Sequence, residues 1–339
     1  MKVLFYIPYP KSLGAAHWIY RGWKHAFEDL GHQFLELTAS DDMEGKVTRE
    51  TPDIVFFANL IDFVALKDML LRIRKAGSKI FLVLSWPLSR QEIDVIRGYD
   101  IADVYFGERE ETEYPKKFWE ATGREYHVIP YAADTRFNFP TSAVSKYQYD
   151  IVYLGAYLPR KRQAFEEVLL PLKRKYRVGV FGPYWTKKDN ILRVCQRISQ
   201  ELDAKAAIDF FHRKRIEVPE EEENQLYSSA KISLNFHERE RDGSQPHYVL
   251  NQRTFKIPAC GGFEICDYVP ALRKYFDEDE VIMADSPRDC LAKVEYYLNH
   301  DDERKTIQAN GRAKALACHT YHHRVRHVIS LAGAGRAER

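Results

Sequence analysis

NQRTFKIPACGGFEICD, residues Asn251 to Asp267, reads as a helix, a stop and a strand. The helix carries positive charge, ends at the double glycine Gly261-Gly262, and hands over to the short apolar run FEIC. A helix feeding a strand in this way is half of a repeating α/β unit. Arg253 and Lys256 stand three residues apart, so they share a helix face. They are either solvated decoration or a hold on an anion.

Working outward, the same alternation fills the second half of the chain. YDIVYLGAY predicts a strand, 162–175 a helix, YRVGVFGPYW a strand and 188–204 a helix. KISLNFH predicts a strand, 248–260 a helix, GFEICD a strand and 289–300 a helix. DERKTIQANGRAKALA and TYHHRVRHVISLAG predict terminal helices. The first half repeats the theme. KVLFYIP, QFLELTA, DIVFFAN, KIFLVLSW, ADVYFGE and YHVIPY read as strands, with amphipathic helices closed by Gly31 and Gly77. Continuous apolar strands between helices imply parallel sheets covered on both faces. The pattern lapses over 134–148, which is polar and contains Pro140. The predicted fold class is α/β, with two facing doubly wound Rossmann-like domains. Their expected extents are 1–138 and 149–318, followed by a terminal helix and tail at 319–339.

Composition agrees with such a chain. Of 339 residues, 45% are hydrophobic and 29% charged, and the net charge of +2 argues neither for nor against nucleic acid. Five cysteines at irregular spacings, with no C-x-x-C, suggest reduced thiols rather than a disulfide framework or zinc site. MKVLFYIPYP enters a strand directly, with an apolar stretch too short for a signal peptide. No run approaches the roughly 18 apolar residues of a membrane span. A cytoplasmic protein is expected.

Open α/β sheets bind ligands beyond the carboxyl ends of their strands. In the second half those ends are Gly155, Gly182 and Asn235. Arg160, Lys161 and Arg162 follow the first, and Arg253 and Lys256 lie on the helix after the third. In the first half Asn59, Ser85 and Trp86 end strands. The cations either pair with Glu166, Glu167 or Glu264, or they hold a phosphate, for which Arg offers a bidentate fork and Lys a point charge. G-x-G-x-x-G is absent from the first strand-to-helix loop, where Gly14 is alone, and no P-loop occurs. The D-x-D within DEDE, Asp277–Glu280, reads as an exposed turn, and His319, His323 and His327 read as part of a packing helix, so no metal site is assigned.

The stretches DIVYLGAYLPRKRQAFEEVL, LYSSAKISLNFH, LNQRTFKIPACGGFEICD and HTYHHRVRHVI resemble the C-terminal domain of GT-B glycosyltransferases, most nearly the CgeB-like, spore-maturation-protein-type group. VIPYAADTRFNFP resembles the interdomain segment of retaining GT-B enzymes. The resemblance covers about residues 125–330. It implies a glycosyltransferase that takes a nucleotide-diphosphate sugar as donor substrate and needs no further cofactor. It places Gly155 and Arg162 beside the diphosphate, Gly182 and Tyr184 near base or ribose, Asn251 and Arg253 near phosphates and sugar, and Gly14 on the acceptor-side domain. Arg162, Arg253 and Lys256 would stabilise the leaving diphosphate without metal. One position departs from the family. Lys256 stands where a glutamate usually holds the ribose hydroxyls, and an ammonium cannot accept from them. Lys256 contacts phosphate, or Glu264 or Glu217 takes over the ribose, or donor binding is altered. A non-catalytic nucleotide-sugar-binding partner subunit, a GT-B-fold sugar-nucleotide epimerase and a two-lobed receptor are the competing readings. The acceptor is left open among a glycan, a protein, an envelope polymer and modified nucleic acid, as is the oligomeric state.

Overall fold

The strand-like runs of the first half form one parallel sheet because alternate residues of each run are apolar on both faces. In the computed structural model, which describes the chain except residues 9–14, 86, 111–112, 203, 216–217, 240–247 and 335–339, the strands are β1 (Lys2–Tyr6), β2 (Gln33–Leu37), β3 (Ile54–Phe57), β4 (Lys79–Val83), β5 (Val104–Gly107) and β6 (Tyr126–Val128). They lie in the order β2-β1-β3-β4-β5-β6, all parallel. Leu4, Val55, Phe57 and Leu82 face one apolar layer, while Val3, Phe5, Phe56 and Phe81 face the other. A strand with two buried faces needs an unbroken apolar run, which is why these segments carry so little polar alternation.

This unit comprises Met1–Asp134 together with Thr320–Arg339. The chain returns to it through a parallel bridge between Ala133 and Thr320. Helix Tyr321–Ala334 then packs on helix Ala15–Asp29. Trp23 and Tyr321 meet at 5.5 Å between ring centres. Arg324 donates to the carbonyls of Pro130 at 3.0 Å and Tyr131 at 3.1 Å.

The second unit, Thr135–His319, has strands β7 (Ile151–Leu154), β8 (Val178–Phe181), β9 (Ile232–Asn235), β10 (Glu264–Cys266) and β11 (Ile282–Met283). Their order is β11-β10-β9-β7-β8, again all parallel. Tyr153, Ile232, Leu234 and Ile265 pack against Phe165, Val168, Cys290 and Val294. On the other face Val152 meets Tyr147 and Leu226.

Two helices differ from expectation. The helix expected over 248–260 is confined to Arg253–Ala259. It stops where the glycines said it would: Gly261 takes φ +69°, and Gly262 N–H returns to the Ile257 carbonyl at 2.9 Å. The helix expected over 188–204 is Lys187–Glu201, and a second helix, Lys205–Arg215, packs back on it. No helix among the described residues is long and apolar enough to cross a membrane.

A side chain at Gly22 would overlap the Tyr321 ring. Gly22→Val is expected to cost about 1–3 kcal/mol, the usual range for overpacking. Chemical denaturation reads it, and an unchanged stability would mean that the terminal helix does not dock where Tyr321 places it.

Candidate functional site

The carboxyl edge of the second sheet is built around two glycines. Gly182 sits after β8 at φ +121°, and a Cβ there would lie 2.6 Å from the Gly155 carbonyl oxygen. A Cβ on Gly155 would in turn overlap Arg253 Nη1 and lie 2.9 Å from Tyr153 Oη. Glycine is required at 182 by the backbone approach and the positive φ, while a side chain at 155 would have to displace the tips of Arg253 and Tyr153. The space that Gly155 leaves lets the Arg253 side chain reach the edge from its helix.

Arg253 is fixed there by backbone. Nη1 donates to the Leu154 carbonyl at 2.7 Å and Nη2 to the Phe236 carbonyl at 2.9 Å. The guanidinium lies 5.1 Å from the Tyr153 ring centre, a cation–π distance. The backbone N–H of Arg253 is received by Asn251 Oδ1 at 2.9 Å. Asn251 Nδ2 donates to Asn235 Oδ1 at 2.8 Å, and Asn235 Nδ2 to Glu264 Oε1 at 2.7 Å. Burial pushes the Glu264 carboxyl up to about 8, against the hydrogen bond from Asn235, and its Oε2 has no partner. A neutral carboxylic acid suits that position better than a carboxylate.

Lys161 ends the turn Pro159–Lys161 that follows β7. It is only 8% exposed. No hydrogen bond or ion pair reaches its ammonium among the described residues. Burial, and then the charge of Arg253, push it down to about 7, opposed by the charges of Glu238 and Asp267. Lys161 lines an open hollow of about 480 Å³ together with Arg160, His237, Arg239 and Asp267. His237 is buried, with Nδ1 2.7 Å from Asp267 Oδ1 and its backbone N–H 3.1 Å from the same carboxylate.

Tyr184 follows Gly182 with φ 73°, a left-handed conformation that costs a bulky residue about 1–3 kcal/mol. Its N–H donates to Asp189 Oδ2 at 2.6 Å, which offsets part of that strain. The ring carries Arg193 at 5.0 Å and Arg215 at 5.8 Å from its centre.

Of the residues expected at the site, the structure brings Gly155, Gly182, Asn251 and Arg253 together, with Tyr184 two residues beyond Gly182. Two cations go elsewhere. Lys256 is buried, its Nζ 2.6 Å from Glu223 Oε2, with side-chain exposures of 6% and 9%. The spacing to Arg253 is helical as expected, but this short helix is covered around its circumference, so one cation reaches the sheet edge and the other reaches helix Glu223–Ser229. Arg162 is 67% exposed and pairs with Glu166 one turn on, at 2.6 Å. The carboxylate pairing that was the alternative for these cations is what Arg162 makes. Gly14 lies outside the described residues, as do Trp86 and Glu217. Asn59 donates to the Tyr6 carbonyl at 3.1 Å, closing the end of β1. The sequence reading passed over Lys161 for its neighbour. Nothing in the run PRKR says which cation the turn points inward. His237 and Asp267 were also missed, although Asp267 directly follows β10 and His237 lies two residues beyond β9.

The family model described as Glycosyl transferase-like matches residues 160–330, just over half of the chain. The chain belongs to this family. No curated protein matches it in sequence. Among solved structures, the HepE protein of Anabaena in complex with UDP and glucose is 12% identical, with 97% of this chain and 99% of that one covered and a TM-score of 0.62. A glycosyltransferase from Rickettsia africae is 11% identical over 98% and 97%, with a TM-score of 0.68. A sucrose-phosphate synthase from Thermosynechococcus elongatus is 11% identical over 100% of both chains, with a TM-score of 0.67. The two parallel-sheet units are thus those of the GT-B architecture, and the enzyme is a glycosyltransferase.

The Lys256–Glu223 pair has a structural consequence. Lys256→Ala strands a buried carboxylate and is expected to cost about 3–5 kcal/mol, while Lys256→Met with Glu223→Leu recovers most of it. A double-mutant denaturation cycle measures this. A single-variant loss under about 1 kcal/mol would contradict the buried pairing.

Proposed function

We propose that this glycosyltransferase takes its sugar from a nucleoside-diphosphate donor whose diphosphate is held by Lys161 and Arg253. The observation that carries the reading is the state of Lys161: a buried ammonium without a hydrogen-bond or ion-pair partner among the described residues, beside a half-buried guanidinium whose Nη1 and Nη2 bond to backbone carbonyls. An uncompensated buried cation is expensive, and two together repel. An anion between them removes both penalties. The ligand-facing edge of an open α/β sheet is where such an anion belongs.

Glycosyl transfer develops negative charge on the departing diphosphate while the sugar gains oxocarbenium character. Cations already in place stabilise that charge without reorganisation. Arg253 is held by two carbonyls, so its orientation is set before the donor arrives. Lys161 is a point charge that becomes fully protonated when the anion binds. Gly155 and Gly182 keep the edge low, so backbone can approach the phosphates. Tyr184 offers a ring near base or ribose. The ribose role that family glutamates fill does not pass to Lys256, which is occupied by Glu223.

Transfer is proposed to retain anomeric configuration and to need no metal, with Lys161 and Arg253 supplying the charge that a metal would. The CgeB-like grouping is proposed from the LNQRTF and ACGGF elements. A cytoplasmic location suits the five free thiols. Because the Anabaena HepE structure contains UDP, uridine diphosphate is the first nucleotide to test.

Lys161→Met should weaken nucleoside-diphosphate binding by at least about tenfold, the lower end for losing a charge-assisted hydrogen bond. It should leave the unliganded protein at least as stable, because a buried unpaired charge is removed. Calorimetric titration and a melting curve test both. Unchanged affinity would overturn the assignment. Turnover with a nucleotide sugar should survive EDTA, and loss in EDTA restored by Mg²⁺ or Mn²⁺ would show that the two cations do not suffice.

A further inference from the structure

Helix Lys187–Glu201 is built inside out. Its buried residues are polar: Asp189, Gln196 and Ser199. Arg215 from the following helix anchors them, with Nε 2.7 Å from Asp189 Oδ1 and Nη1 2.9 Å from Gln196 Oε1. Its solvent side is apolar. Ile191, Val194, Ile198 and Leu202 are 63%, 53%, 51% and 73% exposed. Their spacing of three and four residues lines them along one stripe. On the second helix Phe210 is exposed as well. Lys187, Lys188, Arg193 and Arg197 are exposed along the same first helix. Its carboxylates are Asp189, which is buried on Arg215, and Glu201. The exposed face is therefore an aliphatic stripe flanked by an excess of cations.

We propose that this helical hairpin docks the enzyme peripherally onto an anionic lipid surface. A helix with aliphatic residues on one side and Lys and Arg beside them lies in the plane of the headgroups, the chains receiving the stripe and the headgroups the cations. A second copy of the chain fits less well. It brings the same excess of positive charge, and four aliphatic side chains fall well short of the roughly 800 Å² per partner that a stable dimer buries. Membrane docking needs no such area and no shaped groove. The hairpin is also tied to the donor edge, because Asp189 holds both Arg215 and the Tyr184 N–H. A lipid-bound acceptor presented at the same surface would then meet the enzyme where the hairpin already holds it.

Co-sedimentation with vesicles tests this. The full chain should bind phosphatidylcholine vesicles carrying about 30 mol% phosphatidylglycerol, ignore pure phosphatidylcholine, and be released at about 0.5 M salt. Ile191→Ser with Ile198→Ser should lower partitioning at least about tenfold, the loss expected when two buried aliphatic side chains leave the acyl boundary. Lys187→Glu with Lys188→Glu should do the same, and both variants should keep the wild-type melting temperature, since the altered side chains are exposed. The wild-type arm stands without any variant: failure to bind the anionic vesicles at low salt overturns the proposal. So does unchanged binding by the stripe variant. A wild-type dimer in light scattering that the stripe variant abolishes would assign the face to a second copy instead.

Discussion

The Arg253 guanidinium, bonded to the last carbonyl of β7 and to the carbonyl just after β9, is the interaction on which the site depends. It ties together two neighbouring strands at the edge where ligands bind. Its position favours glycine at 155, because a Cβ there would displace the guanidinium. Glycine at 155 then admits the backbone of Gly182 close alongside, which sets up the turn into Tyr184. The network from Asn251 through Asn235 to Glu264 holds the helix that delivers Arg253. A half-buried arginine held by carbonyls keeps its full charge, so the edge is electropositive before any ligand arrives.

Burial drives the two unusual titrations nearby; the Arg253 charge adds to the first and opposes the second. Burial, and then the charge of Arg253, hold the Lys161 ammonium down to about 7, below the 10.5 of an ordinary lysine. Between those values the unfolded chain binds more protons, so this group makes the unliganded protein more stable as pH rises through that window. Glu264 moves the other way, from 4.5 to about 8, so the folded protein binds more protons across that interval and loses this contribution as pH rises through it. Among the described residues neither group has an ion-pair partner. An anion beside Lys161 reverses the first effect and leaves the second, which sits deeper behind Asn235.

The architecture was legible in the sequence because parallel strands with two buried faces print as unbroken apolar runs, and the second-half strand ends Gly155, Gly182 and Asn235 are where the structure puts them. The cations were legible as a group but not one by one. Arg253 and Lys256 share a helical repeat, yet what separates their roles is Glu223, more than thirty residues away in the chain and adjacent in space. The run from Arg160 to Arg162 offers three cations, and only the turn after β7 decides that Lys161 points inward and Arg162 outward. The second helix of the hairpin escaped notice because its register is set by Arg215 reaching Asp189 and Gln196, a polar interface that apolar periodicity does not report.

The central claim is that Lys161 waits, partly neutral, for the donor's diphosphate. Proton uptake on binding reads this directly. Titration of uridine diphosphate at about pH 8.5, in buffers of different ionisation enthalpy, should show uptake approaching about one proton per site, since the ligand restores the charge that burial had removed. Lys161→Met should show none. Binding without proton uptake, or equal uptake by the variant, would contradict the account.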